Sequence, residues 1–247
     1  MGKTLVLFVF HEFNTRVDHF INHAIFQKDT VDFMIICNHP TIRFKAPSYI
    51  RVLFRQNIGY DFGGWSDALL TNDLYKQYDS FIFCNSSIVG PFLPSYYQGT
   101  WVDVYLSGLT DSVRVFGSSI NTLQSPKDKS HVQTYMFAVH RDTLDYLIES
   151  EIFTMKHYAK TMEEAVCREI SLSRKVIEKG WNIGSLLSCY RGVDFTFRSK
   201  SPEEYSIPFY NDLMYHHYHD KIWNRYDLVF IKGNRGIPAD YANGIAS

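Results

Sequence analysis

Two stretches carry residues whose types and spacing suit the binding of phosphates and sugar hydroxyls. The first is Asn57-Ile58-Gly59-Tyr60-Asp61-Phe62-Gly63-Gly64-Trp65. Gly59, Gly63 and Gly64 permit positive φ and let the backbone come close to a ligand. A helix opening after this turn would aim free N–H groups at a phosphate. Asp61 caps such a helix or binds a ribose hydroxyl or nucleobase; a tight turn with an Asp cap accounts for the same residues equally well. The stretch matches neither GxGxxG nor the phosphate-binding loop of NTPases, so dehydrogenase and NTPase readings lose support. The second is the apolar run Phe81-Ile82-Phe83-Cys84, which ends in Asn85-Ser86-Ser87. These amide and hydroxyl groups can hydrogen-bond a sugar or phosphates but are poor ligands for Mg²⁺ or Mn²⁺. A polar strand end feeding the Gly90-Pro91 turn is the plainer account.

Proton transfer needs a carboxylate in an unusual setting, and periodicity singles out Glu169. At about 100° per residue, Met162, Ala165, Val166, Ile170, Leu172, Val176 and Ile177 form one helix face with Glu169 near its middle. A carboxylate there is costly unless it is paired, hydrogen-bonded or open to a cleft. Facing a cleft, it suits a general base; a buried salt bridge to an Arg is the alternative. Lys232 and Arg235 are fixed positive charges that could neutralise an anionic leaving group, or simply solvated charges. His131, Gln133 and Tyr135 share one face in period-two geometry, which would serve a second substrate or form an ordinary strand edge. Tyr215-His216-His217-Tyr218-His219-Asp220 is rich in imidazole, yet adjacent histidines point apart and zinc spacing is absent. A surface aromatic cluster fits it better, with one histidine in reach of a phosphate. Hydrolase motifs such as GxSxG and HExxH do not occur.

These residues need strand ends and helix starts to position them. Apolar β-rich runs at Leu5–Phe10, Val31–Cys37, Ile50–Phe54, Phe81–Cys84 and Val113–Phe116 read as strands. Val17, Phe20, Ile21, Ala24 and Ile25 lie at helical spacing, and a second helix is expected over Trp65–Tyr75. This alternation predicts an α/β fold with a mainly parallel sheet flanked by helices. Ligands of such sheets bind beyond the strand carboxyl ends. Leu123–Ser130 reads as a polar surface loop or lid, Val132–Val139 as a strand and Asp142–Glu149 as a helix. Thr161-Met162-Glu163-Glu164 fits a capping box opening a longer helix that Gly180 ends. Arg191–Tyr210 reads as irregular and Leu228–Ile231 as the last strand. No internal repeat or low-complexity tract is visible.

The 247 residues suit one large α/β domain. With 25 basic and 26 acidic side chains the net charge is −1, so nucleic acid and anionic membranes lack an electrostatic footprint. The 16% aromatic content is read mainly as core. Cys37, Cys84, Cys167 and Cys189 form no CxxC pair and read as reduced core residues. The apolar start Thr4–Phe10 is too short for a membrane span and lacks a cleavage site, so a soluble cytoplasmic protein without membrane insertion is the expectation.

Asn57 to Gly64, Phe83-Cys84-Asn85-Ser86-Ser87-Ile88-Val89-Gly90-Pro91-Phe92 and Glu169-Ile170-Ser171-Leu172-Ser173 together resemble GT-A-fold glycosyltransferases. The resemblance is greatest to the rhamnan-synthesis F-like group and related sequences, including large-virus members; Val229 to Arg235 resembles a terminal motif of these. It implies a GT-A-like (nucleotide-diphospho-sugar transferase) domain over 1–247, with a nucleotide-sugar half at about 1–122 and an acceptor half at about 123–247. The implied activity transfers a hexose or deoxyhexose from a UDP- or dTDP-sugar to a glycan hydroxyl. By position, Phe10, His11, Asn38 and the Asn57 to Gly64 turn, including Gly59, Asp61 and Gly63, would hold the nucleoside. Asn85, Ser86 and Ser87 stand where such enzymes carry a metal-binding DxD motif, Glu169 matches the acidic residue of the acceptor-side helix, and Lys232 and Arg235 would face the diphosphate. His131, Gln133 and Tyr135 would meet the acceptor. The missing DxD carboxylates leave a Mn²⁺ or Mg²⁺ requirement open. They also keep a catalytically silent nucleotide-sugar or carbohydrate-binding module in play; a nucleotidyltransferase is a third reading that lacks its basic glycine loop.

Overall fold

The computed structural model of the chain describes residues 2–209, 217–218, 221–222 and 225–234. The elements run in the order β1 (Thr4–Phe10), α1 (Thr15–His23), β2 (Val31–Cys37), β3 (Arg51–Phe54), α2 (Tyr60–Leu70), β4 (Ser80–Asn85), β5 (Ile88–Val89) and α3 (Trp101–Ser107). There follow β6 (Val113–Gly117), β7 (Ile120–Asn121), α4 (Pro126–Lys129), β8 (His131–Val132), β9 (Met136–His140), α5 (Arg141–Glu149) and α6 (Met162–Glu178). The last are β10 (Asn182–Ser185), β11 (His217–Tyr218), β12 (Lys221–Ile222), α7 (Arg225–Leu228) and β13 (Ile231–Lys232).

Seven strands form one sheet in the order β10-β6-β9-β4-β1-β2-β3. Every pairing is parallel except those of β9, which runs against β4 and β6. Continuous apolar runs such as Thr4–Phe10 belong in the centre of such a sheet, because both faces are covered. Leu5, Leu7 and Val9 pack with Phe81, Phe83 and Phe137 under α2, α5 and α6. Val6, Phe8 and Phe10 face the other way, under Phe20 of α1 and Trp101 and Tyr105 of α3. Trp65 sits within 5.3–5.7 Å of the rings of Phe62, Phe83 and Phe137, so much of the aromatic excess is core.

Four expected elements differ. The helix expected from Trp65 starts at Tyr60 and ends at Leu70; Thr71–Gln77 continues as a 3₁₀ stretch kinked at Asn72 and Asp73. Glycines suggested a turn, yet Gly63 is helical: a Cβ there would strike the Ile58 carbonyl oxygen, so packing requires glycine inside the helix. The expected strand over Val132–Val139 is broken between β8 and β9: Gln133 N–H prolongs the β7–β8 pairing to Ser119 O (3.0 Å), and Thr134 N–H turns to Glu169. The expected last strand shrinks to β13, since α7 takes Arg225–Leu228 and Val229 adopts positive φ. The expected loop over Leu123–Ser130 contains the short α4.

Helix α6 begins at the expected N-cap, but the capping box is only half formed, since Glu164 Oε2 accepts from Lys160 N (2.6 Å) and not from Thr161 N. Thr161 Oγ1 accepts the Glu164 N–H (3.2 Å), and Gly180 follows the helix with φ +92°. Its apolar face is buried only at Leu172, Val176 and Ile177; Met162 and Val166 in the first turns are exposed (63% and 43%). Cys37 and Cys84 are buried as expected, whereas Cys167 on α6 is exposed and Cys189 half-buried; all four are free thiols. Among the described residues no helix is long and apolar enough to cross a membrane.

Candidate active site

The site lies at the carboxyl ends of β1, β2 and β4. Gly59 caps α2 in the left-handed region at φ 77°, where glycine carries no Cβ penalty, and turns Asp61 towards β4. Asn85, the last residue of β4, donates from Nδ2 to Asp61 Oδ2 (2.8 Å). Its Oδ1 accepts from Ser87 N (3.0 Å) and Ser87 Oγ (2.5 Å). Desolvation by burial pushes the Asp61 carboxyl up to about 6; the Asn85 hydrogen bond opposes this, the Glu169 charge adds to it, and His11 and Lys232 pull it back. Asn85, Glu169, His11 and Lys232 thus all act on Asp61.

Glu169 is half-buried and fixed through one oxygen. Thr134 donates to its Oε1 from the backbone N (2.6 Å) and from Oγ1 (2.9 Å). No Arg pairs with it among the described residues, so the buried ion pair weighed above is not formed. Both Thr134 hydrogen bonds go to Oε1. Thr134 carried no sequence signal, because its partner lies 35 residues away and the contact exists only once α6 crosses the β8–β9 connection.

The glycine turn is held by a polar network that the sequence did not announce. Arg55, its side chain 9% exposed, donates to Asp67 Oδ2, Asn38 Oδ1 and Ile58 O, each at 2.7 Å. Tyr158 closes the set by donating to Asp67 Oδ1 (2.5 Å), and burial followed by that hydrogen bond pushes its hydroxyl up to about 12. Asn38 Nδ2 goes to Tyr60 O (3.2 Å) and Asn57 Oδ1 (3.4 Å). Asn38 is 3% exposed and braces the turn; Phe10 is a core ring at 1%, edge-on to Phe44. His11, Asn57 and Asn38 itself line an open hollow of about 550 Å³ with Glu12, Phe13, His39 and Ile42. Gly64 packs against β1 and β2, where a Cβ would meet Val9 and Ile36.

His131, Gln133 and Tyr135 are 4%, 4% and 2% exposed, so their side chains form no open face. His131 Nδ1 contacts Lys129 O (2.7 Å), and the Ser119 hydroxyl bridges Gln133 Oε1 (2.6 Å) and the Tyr135 hydroxyl (2.9 Å). They belong to the polar layer under the Thr134 segment. Ser86 N–H donates to Val9 O (3.0 Å), and Ser87 O accepts the Gly233 N–H (2.6 Å). β13 pairs with β5 so that Lys232 stands opposite Ile88, with its Nζ 5.9 Å from the Tyr135 ring centroid. Arg235 and most of the Tyr215 to Asp220 cluster lie outside the described residues.

The strand-end residues Asn85, Ser86 and Ser87 carry no carboxylate, and Asp61 is the nearest one, bonded to Asn85. Among the described residues no three His, Cys, Asp or Glu side chains gather to hold a metal. Asn85 presents an N–H to Asp61, and its carbonyl oxygen is already taken twice by Ser87.

Parallel strands ending in a polar cleft, with helices on both faces, define an α/β protein of the kind that binds its ligand at the strand carboxyl ends. The chain belongs to the rhamnan synthesis protein F family, whose model matches residues 45–203. That span contains the glycine turn, Asn85 to Ser87 and Glu169; His11, Asn38 and Lys232 lie outside it. The family points to a glycosyltransferase-type enzyme of polysaccharide synthesis, with a rhamnosyltransferase-like role and a glycan as acceptor. No curated protein matches the chain.

Proposed function

We propose that the protein is a GT-A-like transferase that moves a hexose or deoxyhexose, rhamnose foremost, from a UDP- or dTDP-sugar to a glycan hydroxyl. The observation that carries this is the Asp61–Asn85 hydrogen bond at the end of β4, with the Glu169 and Lys232 charges close enough to act on Asp61. The nucleoside occupies the hollow at His11 and Asn57, and Asp61 and Asn85 hold the donor sugar. The donor half is then about 1–122 and the acceptor half about 123–247. Glu169 Oε2 takes the proton of the acceptor hydroxyl, and the acceptor oxygen bonds the anomeric carbon. The bond from that carbon to the diphosphate breaks, and the diphosphate leaves with the electron pair beside Lys232.

Thr134 is a positioning residue here, since two hydrogen bonds to Oε1 fix the carboxylate plane. The absence of carboxylates from Asn85-Ser86-Ser87 favours a second reading, a silent nucleotide-sugar-binding module. Donor turnover with UDP-, dTDP- and GDP-sugars, with and without Mn²⁺, separates the two. Glu169→Gln is expected to keep nucleoside diphosphate affinity while transfer falls by about 100-fold or more. Unchanged transfer would refute the base, and binding without turnover by the native chain would establish the module.

A further inference from the structure

A transferred sugar leaves a diphosphate carrying two or more negative charges, and that charge must meet positive groups in the transition state. The strand-end turn itself carries no carboxylate, and fixed positive side chains on neighbouring elements can meet that charge directly. Arg16 is one that neither the sequence pattern nor the family span singles out.

Helix α1 follows β1 after four residues, and Asn14 caps it by accepting from Arg16 N (3.0 Å) and Val17 N (3.2 Å). This places Arg16 in the first turn, half-buried, at the carboxyl end of the sheet. Its Nε donates to Ser86 O (3.1 Å). A guanidinium has five N–H donors, so this anchor leaves the Nη1 and Nη2 fork intact. Among the described residues no carboxylate pairs with Arg16, in contrast to Arg55, whose nitrogens serve Asp67, Asn38 and Ile58.

β13 closes against the same turn beside Arg16. Gly233 N–H takes Ser87 O, and a Cβ at Gly233 would lie 2.9 Å from Arg16 Cδ and strike Val89. Glycine is therefore required where α1, the β4–β5 turn and β13 close together. Both turn carbonyls, which would repel an anion, are occupied by N–H donors: Ser86 O by Arg16 and Ser87 O by Gly233. Lys232 stands next in sequence, its charge reaching Asp61.

We infer that Arg16 binds the donor diphosphate through its Nη fork and, with Lys232 of the adjoining β13, forms a protein-borne cationic clamp that can serve in the place of a divalent metal. A planar fork matches two phosphate oxygens, and its Nε anchor holds the plane before the ligand arrives. The inference rests on the donor reading of the same cleft.

Calorimetric titration of the full chain in EDTA with UDP, dTDP and the corresponding monophosphates tests it. Arg16→Gln should weaken diphosphate binding by roughly 10- to 100-fold, as for loss of a charge-assisted pair, while monophosphate affinity changes less than about threefold. Arg16→Lys, which keeps the charge but lacks the fork, should lie between, and thermal midpoints show that both variants fold. Diphosphate affinity unchanged in Arg16→Gln, an equal loss for mono- and diphosphate, or a gain above about tenfold on adding Mn²⁺ to the native chain would each overturn the clamp while leaving the donor site standing. A native chain that binds neither diphosphate would remove the donor reading and the clamp with it.

Discussion

Replacing Asp61 by Asn should make the protein more stable at pH 8 and less able to bind its ligand. The Asp61 carboxyl is raised from 3.8 to about 6, first by burial and then by the Glu169 charge, against the pull of Asn85, His11 and Lys232. A value higher in the folded chain than in the unfolded one means that the folded state holds the proton more tightly. Stability is therefore lost as pH rises from about 4 to about 6, and the ionised carboxylate costs about 2–3 kcal/mol above that window, at about 1.4 kcal/mol per unit. An amide cannot ionise and still offers an oxygen to Asn85 Nδ2, so the local geometry survives. Urea unfolding of Asp61→Asn and the native chain should differ by about 2–3 kcal/mol at pH 8 and by about half of that at pH 5. A difference independent of pH, or a variant less stable at pH 8, would refute the reasoning. The same variant should bind nucleoside diphosphate sugars more weakly, the pattern of a site that gives up stability for function.

Two further changes test the scaffold beneath the site. Gly63→Ala should destabilise by about 1–2 kcal/mol, because collision with the Ile58 carbonyl outweighs the gain in helix propensity. Unfolding that shows stabilisation would mean that α2 does not start where the structure has it. Arg55→Lys should cost about 2–4 kcal/mol despite keeping its charge, since one ammonium cannot span Asp67, Asn38 and Ile58 at once. A urea midpoint within experimental error of the native one would remove the network from the account.

The fold was legible where neighbours along the chain decide the outcome. Leu5–Phe10 and Phe33–Cys37 are apolar throughout, and such runs become strands buried on both faces. Thr161 and Gly180 mark the two ends of α6, because capping is a matter of a few residues. Asn85 and Glu169 stood out as polar residues in apolar surroundings, and that contrast is local as well. Periodicity failed at Gln133 and Tyr135: it assigns a face but not what covers that face, and both are buried.

Tertiary structure alone decided the partnerships. Asp61 meets Asn85, Glu169 meets Thr134 rather than an arginine, and Arg16 meets the Ser86 carbonyl, each across 24 or more residues. These contacts depend on strand order, on β9 running antiparallel and on helices crossing at one level of the sheet, none of which is encoded in local spacing. The sequence by itself determined which side chains are unusual and that an α/β sheet carries them; packing determined which of them share a cleft, because hydrogen bonds form where backbones place donors and acceptors within about 3 Å.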